Sequence, residues 1–138
     1  MRTEEMRRSD AETAAGWMTR RIRKAGGDGK LVFPESWMPE TGMVVLGDRD
    51  KPLAVAVVYF EKSSPVAVCG WCISDPDLRF SESRKAVRLV LSALPAYARR
   101  NGAEYLLTTF GNRGINRILT GLGFSDGDSG VQHKFMKL

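Results

Sequence analysis

The sequence predicts an α/β (α+β) domain with a mixed, mostly antiparallel central sheet of six to seven strands and helices on both faces. Three observations predict it. Strand-like apolar runs alternate with helix-period segments in the order β, α, three β, α, β, α, β. The runs Leu53 to Glu61 and Val66 to Ile73 are almost continuously apolar, so both of their faces need cover. With 138 residues, residues 1–138 form a single domain that buries roughly 68 to 70% of its unfolded surface.

Each element has a local reason. Arg2 to Arg7 reads as a short first strand. Ser9 or Asp10 is expected to cap a helix in which Ala14, Trp17, Met18, Ile22 and Ala25 share a face, and Gly26, Gly27 and Gly29 end it. Leu31 to Gly42 contains two prolines and two large aromatics, which predicts a loop with at most one helical turn. Met43 to Leu46, Leu53 to Glu61 and Val66 to Ile73 form an antiparallel meander closed by the turns GDRDKP and KSSP. A basic amphipathic helix follows Pro76, with a kink or break expected at Pro95 because proline cannot donate to Leu91. Glu104 to Phe110 is a further strand. Ile115, Ile118, Leu119 and Leu122 stripe a second helix begun by Gly111 and Asn112. The turn SDGDSG then leads to a final strand, VQHKFMKL.

Composition narrows the function classes. No apolar run approaches the roughly 18 to 20 residues that span a bilayer, and MRTEEMRRSD lacks the apolar core of a secretory signal, so a cytoplasmic protein is expected. A net charge of +5 favours phosphorylated or polyanionic ligands. Cys69 and Cys72 stand three apart within a strand-like run, where strict alternation points them to opposite faces. They are therefore read as buried thiols rather than a redox pair, and no second Cys/His pair completes a metal site. Arg20, Arg21, Arg23 and Lys24 fall where cations offset a helix macrodipole. His133 belongs to the last strand and reads as an edge residue.

The chemistry concentrates between Val66 and Asn101, where a strand enters a turn that opens a helix, a place where free main-chain N–H groups gather anions. This segment resembles the central strand, phosphate loop and helix of the GNAT (GCN5-related N-acetyltransferase) superfamily. That family's Arg/Gln-x-x-Gly-x-Gly/Ala loop matches at Arg79, but its glycine positions hold Glu82 and Arg84. Its Asn-x-x-Ala-x-x-Leu-Tyr-x-x-x-Gly-Phe pattern falls on NRGINRILTGLGF. Asn112, Gly123 and Phe124 match, Ile115 and Ile118 stand at the alanine and leucine positions, and Leu119 replaces the tyrosine that protonates the leaving thiolate. Short GNAT-like proteins of short-tailed bacteriophages are similar at Ser74, Asp75, Arg79 and Ser81, then at Gly111, Asn112 and Arg113.

The broader resemblance implies an N-acyltransferase using acetyl-CoA, with an atypical phosphate loop and an unidentified amine acceptor. It implies cofactor contacts from Ile73, Ser74, Arg79, Ser81, Ser83, Arg84, Lys85 and Asn112, and main-chain N–H groups near Cys72 to Ser74 that polarise the thioester. Asp75 is retained as the candidate general base, with Glu61 and Glu40 as alternatives. Loop glycines let a backbone approach diphosphate closely, so a glutamate there weakens binding unless it turns away or pairs with Arg79, Arg84 or Lys85. The narrower resemblance implies a degenerate fold used in virion assembly or host interaction, which would place the protein on a virion. Nucleic-acid binding through Arg84, Lys85, Arg88 and the first helix is disfavoured, because no aromatics are interleaved as stacking platforms.

Overall fold

A computed structural model describes residues 1–26, 32–128 and 136. Five strands lie in one sheet in the order β1-β2-β3-β4-β5: β1 (Arg2–Glu5), β2 (Gly42–Leu46), β3 (Pro52–Phe60), β4 (Val66–Ser74) and β5 (Tyr105–Thr108). All neighbours are antiparallel except β4 and β5, which run parallel. The expectation of six to seven strands is corrected to five among the described residues. The predicted strand over 131–138, with His133, lies outside them except for Met136.

Helices cover both faces. α1 (Arg8–Lys24) packs Ala11, Ala14, Ala15 and Trp17 against Val44, Val55, Val57 and Ile73. The small alanines let the helix sit close to these β-branched side chains, where dense packing maximises dispersion contact. α2 (Phe80–Arg100) packs Ala86, Val90, Leu91 and Leu94 on the opposite face against Val45, Ala56, Val58 and Cys69, and α3 (Arg113–Gly121) adds Ile118 and Leu119 to that core. No helix among the described residues is long and apolar enough to cross a membrane.

Three local expectations need correction. Helix α1 starts at Arg8, with Arg7 as N-cap. Asp10 is the third helical residue and accepts the Arg7 N–H through Oδ2 at 2.8 Å, so it secures the helix from inside rather than capping it from outside. Helix α2 runs through Pro95 to Arg100 without a break. Finally, Cys69 and Cys72 share a face. Val57 faces Trp71 and Val58 faces Cys69, so Gly70 is an extra residue in β4, and this bulge shifts the alternation by one. Both thiols pack on the α2 side and neither is in a disulfide.

Candidate functional site: the opening between β4 and β5

Strands β4 and β5 pair only from Val66 with Tyr105 to Cys69 with Thr108. Beyond Cys69, β4 carries five more residues, the bulge residue Gly70 and then Trp71 to Ser74, which pair with β3 alone. The bulge bends β4 where this pairing stops, and Thr108 Oγ1 donates to the Cys69 carbonyl at 3.3 Å as the last link. Asp75 N–H donates back to Leu53 O at 2.9 Å. Main-chain groups alternate sides along a strand, so those of Ser74 and Cys72 turn away from β3 and into the opening. The Ser74 carbonyl is accordingly met there by Arg21 of α1 rather than by a strand.

At its far end the opening reaches the turn into α2. Arg79 is the N-cap, and its N–H donates to Glu82 Oε2 at 3.4 Å. Glu82 is therefore folded back on its own helix start, although it remains exposed. Ser83, in the first turn, shares a 2.7 Å hydroxyl contact with Ser74, and Arg21 Nη2 donates to Ser74 Oγ at 3.0 Å. Ser74 is 2% exposed, so these two partners satisfy a buried hydroxyl. Arg79, Ser81, Arg84, Lys85 and Arg88 all reach solvent around the turn.

The structure thus brings Ser74, Ser83 and Arg79 to one end of the opening, with Ser81, Arg84 and Lys85 on the adjoining surface. Ile73 is on β4 beside them, with its side chain in the α1-side core. Asn112 is elsewhere: it caps α3, its Oδ1 accepting from Gly114 N at 2.8 Å and Ile115 N at 3.1 Å. Leu119 is buried with α2 and the sheet. A residue that sequence reasoning missed is Arg21, assigned to the helix macrodipole but reaching β4 instead. Only the fold puts positions 21 and 74 together.

Asp75 is 4% exposed and closes the turn. Its carboxylate accepts from the main-chain N–H of Asp77 at 3.0 Å and pairs with Arg20 at 3.2 Å and Lys51 at 3.1 Å. Burial pushes this carboxyl up, but the Asp77 N–H, Lys51 and Arg20 together hold it below the ordinary aspartate value. A carboxylate so held is a poor proton acceptor at neutral pH. Glu61 is likewise held low, by the main-chain N–H and hydroxyl of Ser63 at the β3–β4 turn. Glu40 lies within 4.0 Å of Arg8, at the start of α1. Burial pushes the Cys69 thiol up to about 12, and the Cys72 thiol up as well. Neither is a nucleophile in this state. Among the described residues, no group of three or more His, Cys, Asp or Glu is placed to hold a metal ion.

No protein-family profile and no curated protein sequence matches the chain. Solved structures do match over nearly its whole length. A probable acetyltransferase superposes with a TM-score of 0.68 at 12% identity, covering 100% of this chain and 99% of the other. An aminoglycoside acetyltransferase from an uncultured soil metagenomic sample, in complex with sisomicin, gives 0.63 at 12% identity over 99% and 95%. An aminoglycoside N-acetyltransferase in complex with CoA gives 0.58 at 16% identity over 98% and 99%. The fold of this chain is that of the GNAT-like acetyltransferases.

Proposed function

We propose that the chain is an acyl-CoA-dependent N-acyltransferase, taking an acetyl group from acetyl-CoA to an amine. One observation carries this reading: β4 leaves β5 after Cys69 and offers unpaired main-chain groups along an opening that ends at the start of α2. An extended, amide-containing chain can use such an edge as a strand would, and its diphosphate then falls at a helix N-terminus. The main-chain N–H groups of Cys72 and Ser74 would line the amide track, with Ile73 between them holding that stretch of β4 to β3. Ser81, Ser83 and the cations Arg79, Arg84 and Lys85 would hold phosphate, and Asn112 supports this track only through the start of α3.

In the reaction the amine nitrogen bonds to the thioester carbon, the carbon–sulfur bond breaks, and the sulfur leaves with the electron pair as thiolate. The amine proton passes to solvent or to a base at the mouth. N–H groups aimed into the opening stabilise the oxyanion as it develops.

A second reading has its own observation. Leu119 is core, and Asp75 is committed to Arg20 and Lys51, so the acid and base are both unsupplied at the positions where the resemblance seeks them. This favours a degenerate fold that binds without turnover, as an assembly or host-interaction component would. Calorimetry and thermal shift with acetyl-CoA, followed by thiol release with an amine panel, separate the readings. Acetyl-CoA at a hundred times its Kd stabilises by about 2.7 kcal/mol. Binding with no thiol release from any amine supports the second reading, and no binding removes the first.

A further inference from the structure

Arg21 reaches across the sheet from one face to the other. α1, which carries it, packs on the face formed by Val55, Val57 and Ile73. Ser74 follows Ile73 on β4, so its side chain stands on the opposite face, where Ser83 of α2 meets its hydroxyl at 2.7 Å. Arg21 Nη2 still donates to both Ser74 Oγ, at 3.0 Å, and Ser74 O, at 3.2 Å. That carbonyl points away from β3, because the next N–H, of Asp75, points toward it. The guanidinium therefore comes round the flank of β4 that β5 leaves unpaired, and lies across the end of the opening. Burial raises the Cys72 thiol and the Arg21 charge draws it back, in keeping with a cation at this edge.

The charge on Arg21 is handled differently from those around it. Arg20, its neighbour in sequence, is neutralised by Asp75 and Asp77. Among the described residues Arg21 meets only the two neutral oxygens of Ser74. The carboxylates of the adjoining turn are committed elsewhere: Asp75 to Arg20, Lys51 and the Asp77 N–H, Asp77 to Arg20, and Glu82 to the Arg79 N–H. A guanidinium carries five N–H donors in a planar fork, and Ser74 engages those of one nitrogen, so Nε and Nη1 keep donors for a second partner. That partner is an anion, because one hydroxyl alone separates this cation from the first turn of α2, itself a positive pole.

The order of groups along the opening decides which anion. Cys72 and Ser74 belong to the amide track and Ser83 to the phosphate end, so Arg21 stands at their junction. In an acyl-CoA the group at that junction is the phosphate ester that joins the pantetheine arm to the diphosphate. Building on the acyltransferase reading, we infer that Arg21 is a ligand of this phosphate, a cation supplied by α1 to a turn whose glycine positions hold Glu82 and Arg84. Its fork matches two phosphate oxygens at once, which a lysine cannot do.

The test measures the affinity of wild type, Arg21→Gln and Arg21→Lys for CoA, 4′-phosphopantetheine and pantetheine, by calorimetry and, for millimolar binding, by ligand-observed NMR. Glutamine keeps an N–H donor for Ser74 and removes the charge, whereas lysine keeps the charge and removes the fork. Thermal denaturation without ligand reports any cost to the fold. The expected result is a Kd for CoA and 4′-phosphopantetheine that rises about tenfold to a hundredfold in Arg21→Gln, the scale of one charge-assisted contact, with the Kd of pantetheine unchanged and Arg21→Lys in between. Equal losses for pantetheine and 4′-phosphopantetheine make Arg21 a support of the β4 edge alone and overturn the inference. An Arg21→Gln variant that binds 4′-phosphopantetheine as wild type does, or a wild type that holds it no tighter than pantetheine, overturns it too. In each of these cases CoA binding leaves the acyltransferase reading standing. Absence of CoA binding to wild type removes both together.

Discussion

Replacing Glu82 by glutamine tests whether a diphosphate sits at the start of α2. The glutamate is exposed and its Oε2 leans on the Arg79 N–H at 3.4 Å, a contact that a glutamine oxygen can keep. Loss of its charge from the first turn costs helix α2 about 0.3 to 1 kcal/mol. The gain is in affinity. One carboxylate–phosphate charge pair about 5 Å apart opposes binding by about 0.8 kcal/mol at the dielectric of water and by about 3 kcal/mol at an effective value of 20. Exposure places Glu82 near the first figure, so the Kd for acetyl-CoA falls about fourfold in Glu82→Gln. Titration calorimetry at low salt reads this directly. At about 1 M salt, where the Debye length is about 3 Å, the advantage disappears. If wild type binds acetyl-CoA and Glu82→Gln binds it equally well at low salt, the diphosphate is not at this turn.

Asp75→Asn should cost about 1 to 3 kcal/mol at neutral pH, because it weakens charge-assisted contacts to Arg20 and Lys51 in a nearly buried setting. The Asp75 carboxyl is held below its ordinary value in the fold, so its contribution is present above the unfolded-state pKa and is lost as pH falls through the folded one. Urea denaturation of the variant is therefore expected to show a flatter acid limb than wild type, and an unchanged limb would place the acid sensitivity elsewhere. Leu119→Tyr should destabilise by about 1 to 3 kcal/mol through overpacking and leave thiol release no faster, since position 119 is 6% exposed and belongs to the core. A faster, fully stable variant contradicts that assignment. With the Cys69 thiol raised to about 12 and Cys72 raised as well, a disulfide reagent at pH 8 should modify neither until the protein is unfolded. Fast labelling of the folded protein would show that the β4–α2 core opens.

Much of the fold was legible because local periodicity and burial agreed. The β2–β3–β4 meander, the helices on both faces and the turn after Pro76 all follow from apolar runs and their breakers. What escaped was long-range or a matter of phase. Gly70, the lone glycine within an apolar strand-like run, was the one local sign of a bulge, but whether it is inserted depends on which partners β3 presents. The placement of Cys69 and Cys72 on opposite faces failed for that reason alone. At the site, the helix start at Phe80 was readable, but the reach of Arg20 and Arg21 from α1 to Asp75 and Ser74 was not, because those contacts span more than fifty positions. The aromatic cluster of Trp37, Tyr59 and Trp71 was hidden in the same way: Trp37 lies in a loop with no motif, and only the sheet places the other two beside it.

The bulge makes Gly70 a frame boundary within β4. Cys69 and Trp71 face opposite sides with Gly70 as the extra residue between them, so deleting Gly70 would leave a regularly alternating strand in which Trp71 and Ile73 still face α1 and Cys72 still faces α2. What such a deletion would remove is the bend where β4 parts from β5, so the opening depends on a residue that contributes no side chain.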